Sequence, residues 1–411
     1  MFMHKSKKGF TIVELVIVIA VIAILAAVLI PTFSNLVKKA NRSADQQAVR
    51  QMNTLLAAEE ATGKPETFAN AINALLASNV SMKNYKALVA DMSFYWVKEL
   101  NRVVYVDKNM TVTYPADLTE TTYKMEDGWF SLSGEVATDA NWANKITNTT
   151  TITVDNGATM VAFMNAVAAG DITAKAVTTV NITEDIDLKG AEANFGQFTG
   201  SINIVGTQKE GKNPTIYNLR NGASTVVTTN NDNNNATSYG FGLFAWIGNE
   251  YASGNKTANV TIENVTFENV AINGTPASGS ESASSAGVIA GTVRKGSSLT
   301  VTNVEIRDSY VNVVKKAGAA VGYVTKDATL TISGLTVENV QVAAGKQSAA
   351  LVGYAQSAIT GSNITVTNVT VSKDTSYSAD AVGSVFNGEY ATNNHYWDAT
   401  NEPNVVAKNF N

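Results

Sequence analysis

The chain has 411 residues, 16% charged side chains, a formal net charge of −5 and no cysteine. Two or three domains fit this length, and a chain without cysteine has neither a disulfide framework nor a thiolate metal site. The first 60 residues carry a net positive charge and the remainder a net negative charge. Because an acidic outer region repels phosphate backbones, we expect no nucleic-acid ligand.

The N-terminal segment KKGFTIVELVIVIAVIAILAAVLIP is apolar apart from its first lysines and one acid, Glu14. As a helix rising about 1.5 Å per residue, residues 10–31 are long enough to cross a bilayer. The lysines before the run favour a cytoplasmic N-terminus. A carboxylate in hydrocarbon costs about 2.5 kcal/mol or more, so Glu14 is predicted to have a partner and a function.

Three simpler interpretations compete for this segment. A secretory signal peptide has a shorter apolar region followed by an Ala-x-Ala-like cleavage site, which is not evident after Ile30. A plain membrane anchor fits the length but leaves Glu14 unexplained. In the third interpretation, Glu14 lies near the membrane interface by chance and its side chain extends to the headgroups.

The same segment closely resembles the leader and first helix of type IV prepilins and pseudopilins. In that family a membrane-embedded aspartyl peptidase cuts after a glycine, and the new N-terminal residue, commonly Phe, is methylated. The matching residues are Gly9 and Phe10, and the family's glutamate and helix-perturbing proline match Glu14 and Pro31. The resemblance therefore implies a leader peptide at residues 1–9 and a role for Glu14 in assembly.

The resemblance also implies partners and a location. The partners are a prepilin peptidase, a pilus assembly platform with its ATPase machinery, other pilin subunits and the membrane. The chain is expected to be a single-pass plasma membrane protein before assembly, and then part of an extracellular filament at the surface of a bacterium.

Cleavage after Gly9 would give Glu14 a partner. It would create an α-amino group on Phe10, accessible to Glu14 of a neighbouring chain, and the two charges attract strongly where the dielectric constant is low. Pro31 removes one backbone N–H and obstructs the carbonyl of Ala27, which permits a kink. The alternative for Pro31 is a simple helix end at the membrane surface.

Residues 32–62 predict an amphipathic extension of the helix, ended by Gly63 and Pro65. The apolar stripe of this extension is expected to pack on the protein's own head, on helices of neighbouring filament subunits, or on both. It consists of Leu36, Ala40, Ala44, Ala48, Met52 and Leu56. Residues 63–146 predict a small α/β pilin-like head with a helix carrying Phe68, Ile72, Leu75 and Leu76, followed by three short strands. The aromatic residues Tyr95, Trp96 and Tyr105 are interpreted as packing residues of this head rather than as a binding surface.

Residues 147–411 contain repeats. The element GVIAG, GAAVG, AALVG and ADAVG recurs about every 31 residues. Between its copies, alternating strands change register at a first corner, assigned to Asn264, Asn303, Gly334 and Asn368, and at a second corner, assigned to Asn269, Ser309, Asn339 and Asp374. Short strands with corners that tolerate left-handed backbone predict a right-handed parallel β-helix. The repeats resemble the GLUG-type repeats of bacterial surface proteins.

Two segments flank or interrupt the repeats. GATMVAFMNAVAAGD predicts an amphipathic helix with Met160, Phe163, Met164 and Val167 on one face, interpreted as a cap on the repeats; the alternative is a partner-binding helix. TTNNDNNNATS has oxygen ligands but lacks the spacing of a calcium loop, so we expect a solvated loop and no metal site.

The predicted fold class is therefore α+β: a long transmembrane and amphipathic helix, a small pilin-like head and a parallel β-helix. The predicted function is a pilin-like subunit that displays the repeats for adhesion or spacing, with surface glycans as candidate ligands. One alternative is a minor pseudopilin that primes a secretion or uptake machine. The other, a membrane-anchored polysaccharide-active enzyme, is disfavoured because the only histidines are His4 and His395. We expect no catalytic residues and no cofactor.

Overall fold

The computed structural model describes most of the chain, with gaps. The described residues are 12–60, 71, 74–75, 87–89, 92–107, 109, 111–118, 129–133, 139–221, 239–249, 256–274, 284–345, 347–357, 359–373, 386–388 and 405–410. They form one long helix, a small antiparallel sheet and a large array of parallel strands.

The long helix α1 spans Ile12–Glu60. It continues through Pro31, so the interpretation of Pro31 as a helix end is wrong. The ends predicted at Gly63 and Pro65 lie outside the described residues. Within the described part of the chain, no helix has both the length and the apolar character needed to cross a membrane.

The antiparallel sheet packs on the second half of α1. Its strands are β1 (Met92–Val97), β2 (Arg102–Asp107), β3 (Val112–Tyr114) and β4 (Trp129–Ser133), in the order β3-β2-β1-β4. The three strands expected from the sequence are confirmed. Strand β4, which pairs antiparallel with β1, was not predicted. A 3-10 turn, Ala116–Leu118, follows β3.

The core of this head is formed by one face of α1 and one face of the sheet. Val49, Met52 and Leu56 are buried there against Trp96 and Tyr105. Of the predicted apolar stripe, Met52 and Leu56 pack in this core, whereas Leu36 is 58% exposed and Ala40 and Ala44 are also exposed. The buried face of α1 begins at Asp45 and continues through Val49, Met52 and Leu56.

The remaining strands form parallel sheets, which we call the array. It includes β5 (Thr151–Val154), β6 (Thr179–Ile182), β7 (Ile186–Asp187), β8 (Gln197–Phe198), β9 (Gly200–Gly206), β10 (Thr215–Tyr217), β11 (Arg220–Asn221), β12 (Tyr239–Phe241), β13 (Phe244–Ile247), β14 (Ala258–Glu263), β15 (Thr266–Glu268), β16 (Ala271–Gly274), β17 (Ser284–Ala286), β18 (Ala290–Val293), β19 (Ser298–Arg307) and β20 (Tyr310–Val313). It continues with β21 (Lys316–Gly318), β22 (Val321–Val324), β23 (Thr329–Glu338), β24 (Gln341–Ala344), β25 (Gln347–Ala349), β26 (Val352–Ala355), β27 (Ile359–Lys373), β28 (Phe386–Gly388) and β29 (Val405–Phe410).

Successive repeats of the array stack on one another. Each strand pairs in parallel with the equivalent strand of the next repeat, as β18 does with β22 and β22 with β26. The chain thus adds one strand to each of the same sheets in every repeat. Inward-facing Val, Ile, Leu and Ala side chains form one continuous buried core.

The corners of the array are set by residues with left-handed backbone. Asn264, Asn303 and Gly334 have φ values of 55°, 50° and 75°, which confirms the first predicted corner at these positions. The fourth member is Asn363, at φ 54°, and not Asn368. At the second corner Asn269 and Asn339 are confirmed, but the second member is Asp308 rather than Ser309. Asn368 belongs to this second corner, because Thr367 pairs with Glu338. Asp374 lies outside the described residues.

The recurring glycines have a different role, close packing. A Cβ at Gly291, Gly322 or Gly353 would lie within 2.6 Å of backbone atoms of a neighbouring segment. The repeated glycine is therefore required by the narrow spacing between adjacent segments of the array. The fourth glycine of the pattern, Gly383, lies outside the described residues.

Helix α2 (Gly157–Ala169) covers the first strands of the array. The side chain of Asn156 caps its N-terminus, and Gly170, with φ 85°, follows its last residue. The predicted face is confirmed, since Met160, Phe163, Met164 and Val167 are buried in the array core. A 3-10 helix, Trp142–Lys145, and the short helix α3 (Ile172–Ala176) flank it.

Candidate assembly site

The residues predicted to direct processing and assembly are placed only in part. Gly9 and Phe10 lie outside the described residues. Glu14 and Pro31 lie in α1 and have helical backbone, but their side chains are outside the described set. The structure therefore places Glu14 near the start of α1 and leaves its pairing with the amino group of Phe10 a prediction.

The first half of α1 exposes apolar side chains. Exposed fractions are 54% for Leu15, 59% for Val16, 57% for Ile17, 46% for Val18 and 58% for Ile19. Five consecutive residues of an α-helix point in all directions around its axis. A helix that is apolar on every side is normally covered by protein or lipid.

A buried carboxylate fastens the second half of α1 to the head. Asp45 is 2% exposed and accepts hydrogen bonds from the backbone N–H groups of Leu88, at 2.8 Å, and Val89, at 3.1 Å. The Tyr105 hydroxyl donates a third bond, at 2.7 Å. Burial and the adjacent Asp45 carboxylate raise the pKa of Tyr105 well above its ordinary value, so its hydroxyl remains a donor well into the alkaline range.

A second polar contact lies two helical turns further on. The Asn53 side chain accepts a 2.6 Å bond from the N–H of Val103 and donates a 2.9 Å bond to the carbonyl of Val103. An amide side chain thus satisfies both backbone groups of a strand residue, as a neighbouring strand would. Together with Asp45, Asn53 fixes how α1 is rotated about its axis and where it lies along that axis relative to the sheet.

The head also contacts the array, through Arg220. This side chain is 1% exposed. Its Nε donates to the carbonyl of Leu132 in the head at 3.2 Å, and its Nη1 donates to the carbonyl of Asn269 in the array at 2.5 Å. Burial lowers the pKa of Arg220 to about 9, which leaves the guanidinium charged at neutral pH.

Apolar packing supports the same junction. Ala271 and Tyr310 of the array belong to the cluster that contains Trp96 and Leu132 of the head. Burial raises the pKa of Tyr310 to about 12. The array is therefore joined to the head by a shared core as well as by Arg220.

Sequence reasoning missed the polar residues of this site. Asp45, Val49, Met52 and Leu56 follow a helical spacing, so an acid on the buried face was a readable signal. Asn53 and Arg220 gave no such signal, because their partners are backbone atoms distant in the sequence. In the described part of the chain, no cluster of His, Asp and Glu is arranged to hold a metal ion.

Comparison with known proteins identifies the N-terminal segment. Residues 4–30 match the prokaryotic N-terminal methylation motif. The match supports a type IV pilin-like or pseudopilin-like N-terminus, and it implies processing by a prepilin peptidase and assembly with other pilins. No solved structure matches the chain.

Proposed function

We propose that the chain is a subunit of a type IV pilus or a related filament, cut between Gly9 and Phe10, that carries the array outside the cell. The observation that carries the proposal is the methylation motif at residues 4–30, which continues into α1. The second half of α1 is locked onto the antiparallel sheet by Asp45 and Asn53. A helix fixed in this way can hold a large domain in a defined orientation along a filament.

The exposed apolar half of α1 is the proposed anchor. It lies in the plasma membrane before assembly, and against equivalent helices of neighbouring subunits afterwards. Glu14 pairs there with the α-amino group of Phe10 of the next subunit, which relieves the burial of both charges. Pro31 gives the helix a point at which it can bend without losing a further hydrogen bond.

The array is proposed to be a right-handed parallel β-helix that acts as a binding or spacing domain rather than an enzyme. Repeat-by-repeat parallel pairing supports this architecture. The asparagine corners support it as well, because they let each strand turn while its apolar face stays inward.

Mass spectrometry of the mature N-terminus tests the processing step. We expect a chain that begins with methylated Phe10, and Gly9→Trp should block the cut while leaving membrane insertion intact. A mature chain that begins at Met1, or beyond Ile30, would contradict the proposal.

The Glu14→Gln variant tests assembly separately from processing. The substitution removes the charge at nearly constant side-chain volume, and residue 14 lies beyond the cleavage site. The processed variant should therefore accumulate in membranes and be depleted from filaments. Glu60→Gln, which removes an exposed carboxylate at the other end of α1, is the matched control and should still enter filaments. Immunogold labelling with an antibody to the array measures incorporation and also the copy number along each filament. Equal labelling of the Glu14→Gln and Glu60→Gln variants would show that the Glu14 carboxylate has no part in assembly.

A further inference from the structure

A polar groove runs along the outer face of the array. It has a volume of about 780 Å³ and lies between a hairpin at residues 206–214 and the strands β10, β15 and β19. The volume falls within the range of about 300–1,000 Å³ that is usual for sites of small organic ligands. Tyr217, Thr266, Glu305 and Arg307 line its sheet side.

The hairpin wall of the groove is fixed in place. The Asn213 side chain donates a 2.9 Å bond to the carbonyl of Asn303 and accepts a 3.3 Å bond from the Asn303 side chain. Gln208 donates to Asn213 at 2.8 Å, and Lys209 forms an ion pair with Glu184. The groove is thus built by specific contacts between distant segments of the chain.

The groove carries charges of both signs. Its lining has four acidic side chains and three basic ones: Glu184, Asp185, Glu210, Glu305, Lys209, Lys212 and Arg307. Arg307 donates a 2.7 Å bond to Glu268 and lies 3.8 Å from Glu305, while Lys209 is paired with Glu184. A polyanion or a polycation would meet charges of both signs here, so the lining favours an uncharged ligand. An apolar ligand is also disfavoured, because amide, hydroxyl and carboxylate groups dominate the lining.

A peptide added as an extra strand does not fit the groove. Peptides bound in that way need an open sheet edge, whereas β15 pairs with β10 on one side and with β19 on the other. A ligand must therefore be recognised by side chains. Carboxylates and amides that accept and donate hydrogen bonds, beside the ring of Tyr217, suit the hydroxyl groups and apolar faces of sugar rings.

We propose that this groove binds a segment of a neutral glycan, and that Tyr217, Glu305 and Gln208 contact the sugar. The inference deepens the display role proposed above and rests on it for its biological meaning. Glycan binding is measured on the purified protein. The binding result can therefore be interpreted even if the proposed processing or filament assembly proves wrong.

The test uses the full-length chain purified in detergent and immobilised on a sensor surface. The probes are neutral gluco-, manno-, galacto- and N-acetylglucosamine oligosaccharides, with dextran sulfate as an anionic comparison. We expect saturable binding of at least one neutral probe and no preference for dextran sulfate. Absence of binding to every neutral probe, or binding to dextran sulfate alone, would overturn the proposal.

Substitutions then locate the site. Glu305→Gln keeps the size of the side chain and should weaken binding at least tenfold, while Tyr217→Phe should weaken it less than Tyr217→Ala. The matched control is Glu338→Gln, an exposed carboxylate on β23 outside the groove, which should leave binding unchanged. Melting temperatures of all four variants show whether the array remains folded. Equal affinities of the Glu305→Gln and Glu338→Gln variants would place the binding elsewhere and overturn the assignment.

Discussion

The Asp45 carboxylate of α1 accepts a 2.7 Å hydrogen bond from the Tyr105 hydroxyl of β2, 60 residues away in the sequence. Both side chains are buried, and a hydrogen bond to a charged group contributes about 1.5–3 kcal/mol. Tyr105→Phe should therefore lower the free energy of unfolding by about that amount. Urea denaturation of the detergent-purified chain, followed by tryptophan fluorescence, measures the change.

The control for this pair is Gln47→Ala, an exposed position on the same helix, which should change stability by no more than about 0.5 kcal/mol. Combining Tyr105→Phe with Asp45→Ala gives the coupling energy of the pair. If the two substitutions are additive, the bond between helix and sheet is not a source of stability.

Alkaline pH should weaken the junction between head and array through Tyr310. Burial raises the pKa of Tyr310 to about 12, whereas a tyrosine in an unfolded chain titrates near about 10. Protonated Tyr310 therefore makes its full contribution to the free energy of unfolding below a pH of about 10. This contribution is lost as the pH rises toward about 12, by at most about 1.4 kcal/mol per pH unit. Unfolding free energies measured across this range should fall less steeply in Tyr310→Phe; identical slopes would contradict the prediction.

At the second corner, two substitutions of Asn339 should separate backbone strain from hydrogen bonding. Asn339 has φ 53°, donates to Asp308 at 3.1 Å and accepts from Asn368 at 3.1 Å. Asn339→Gly keeps the left-handed backbone and should lose only the two bonds, about 1 kcal/mol each. Asn339→Ala should lose about 1–2 kcal/mol more, because its Cβ is strained there. Thermal unfolding that ranks Ala as equal to or more stable than Gly would contradict this order.

The corners also show how far the sequence could be interpreted. Asn264, Asn303 and Gly334 were identifiable because few residue types tolerate left-handed backbone, and the alternation of apolar residues shifts there. Asn368 was assigned to the wrong corner. Strand β27 has asparagine at both of its corners, Asn363 and Asn368. Either asparagine could therefore be aligned with the first corner of the preceding repeats, and only the pairing of strands shows which one belongs there.

The polar contacts of α1 and of the junction were less predictable for a different reason. The burial of Asp45 depends on Tyr105 and on the N–H groups of Leu88 and Val89. Arg220 is held by carbonyl groups of Leu132 and Asn269. Backbone donors and acceptors have no signature in the sequence, so these contacts follow only from the assembled fold.

Close backbone packing in the array predicts a severe effect of one added methyl group. A Cβ at Gly322 would lie 2.4 Å from the backbone nitrogen of Ala286 and 2.7 Å from the carbonyl oxygen of Gly291. Gly322→Ala should therefore cost about 4 kcal/mol or more. Gly211→Ala is the control, since nothing lies within 4 Å of its Cβ, and its left-handed backbone alone should cost about 1–2 kcal/mol. Similar melting temperatures for the two variants would contradict the packing argument.

The last prediction concerns Arg220, whose guanidinium joins the carbonyl of Leu132 in the head to that of Asn269 in the array. Arg220→Met keeps much of the side-chain length but leaves both carbonyls without this donor, at a cost of about 1–3 kcal/mol for each buried group. The loss should be local to the junction, because the array keeps its own core.

Hydrogen exchange of the full-length chain measures that locality. In Arg220→Met, peptides covering 129–133 should lose protection, while peptides covering the cap helix at 157–169 should exchange as in the unsubstituted protein. Arg220→Lys should behave like Arg220→Met, since a single ammonium on a shorter stem cannot reproduce the forked geometry of the guanidinium. If protection falls equally in both segments, Arg220 stabilises the array as a whole, and the head and the array are one cooperative unit rather than two units that unfold separately.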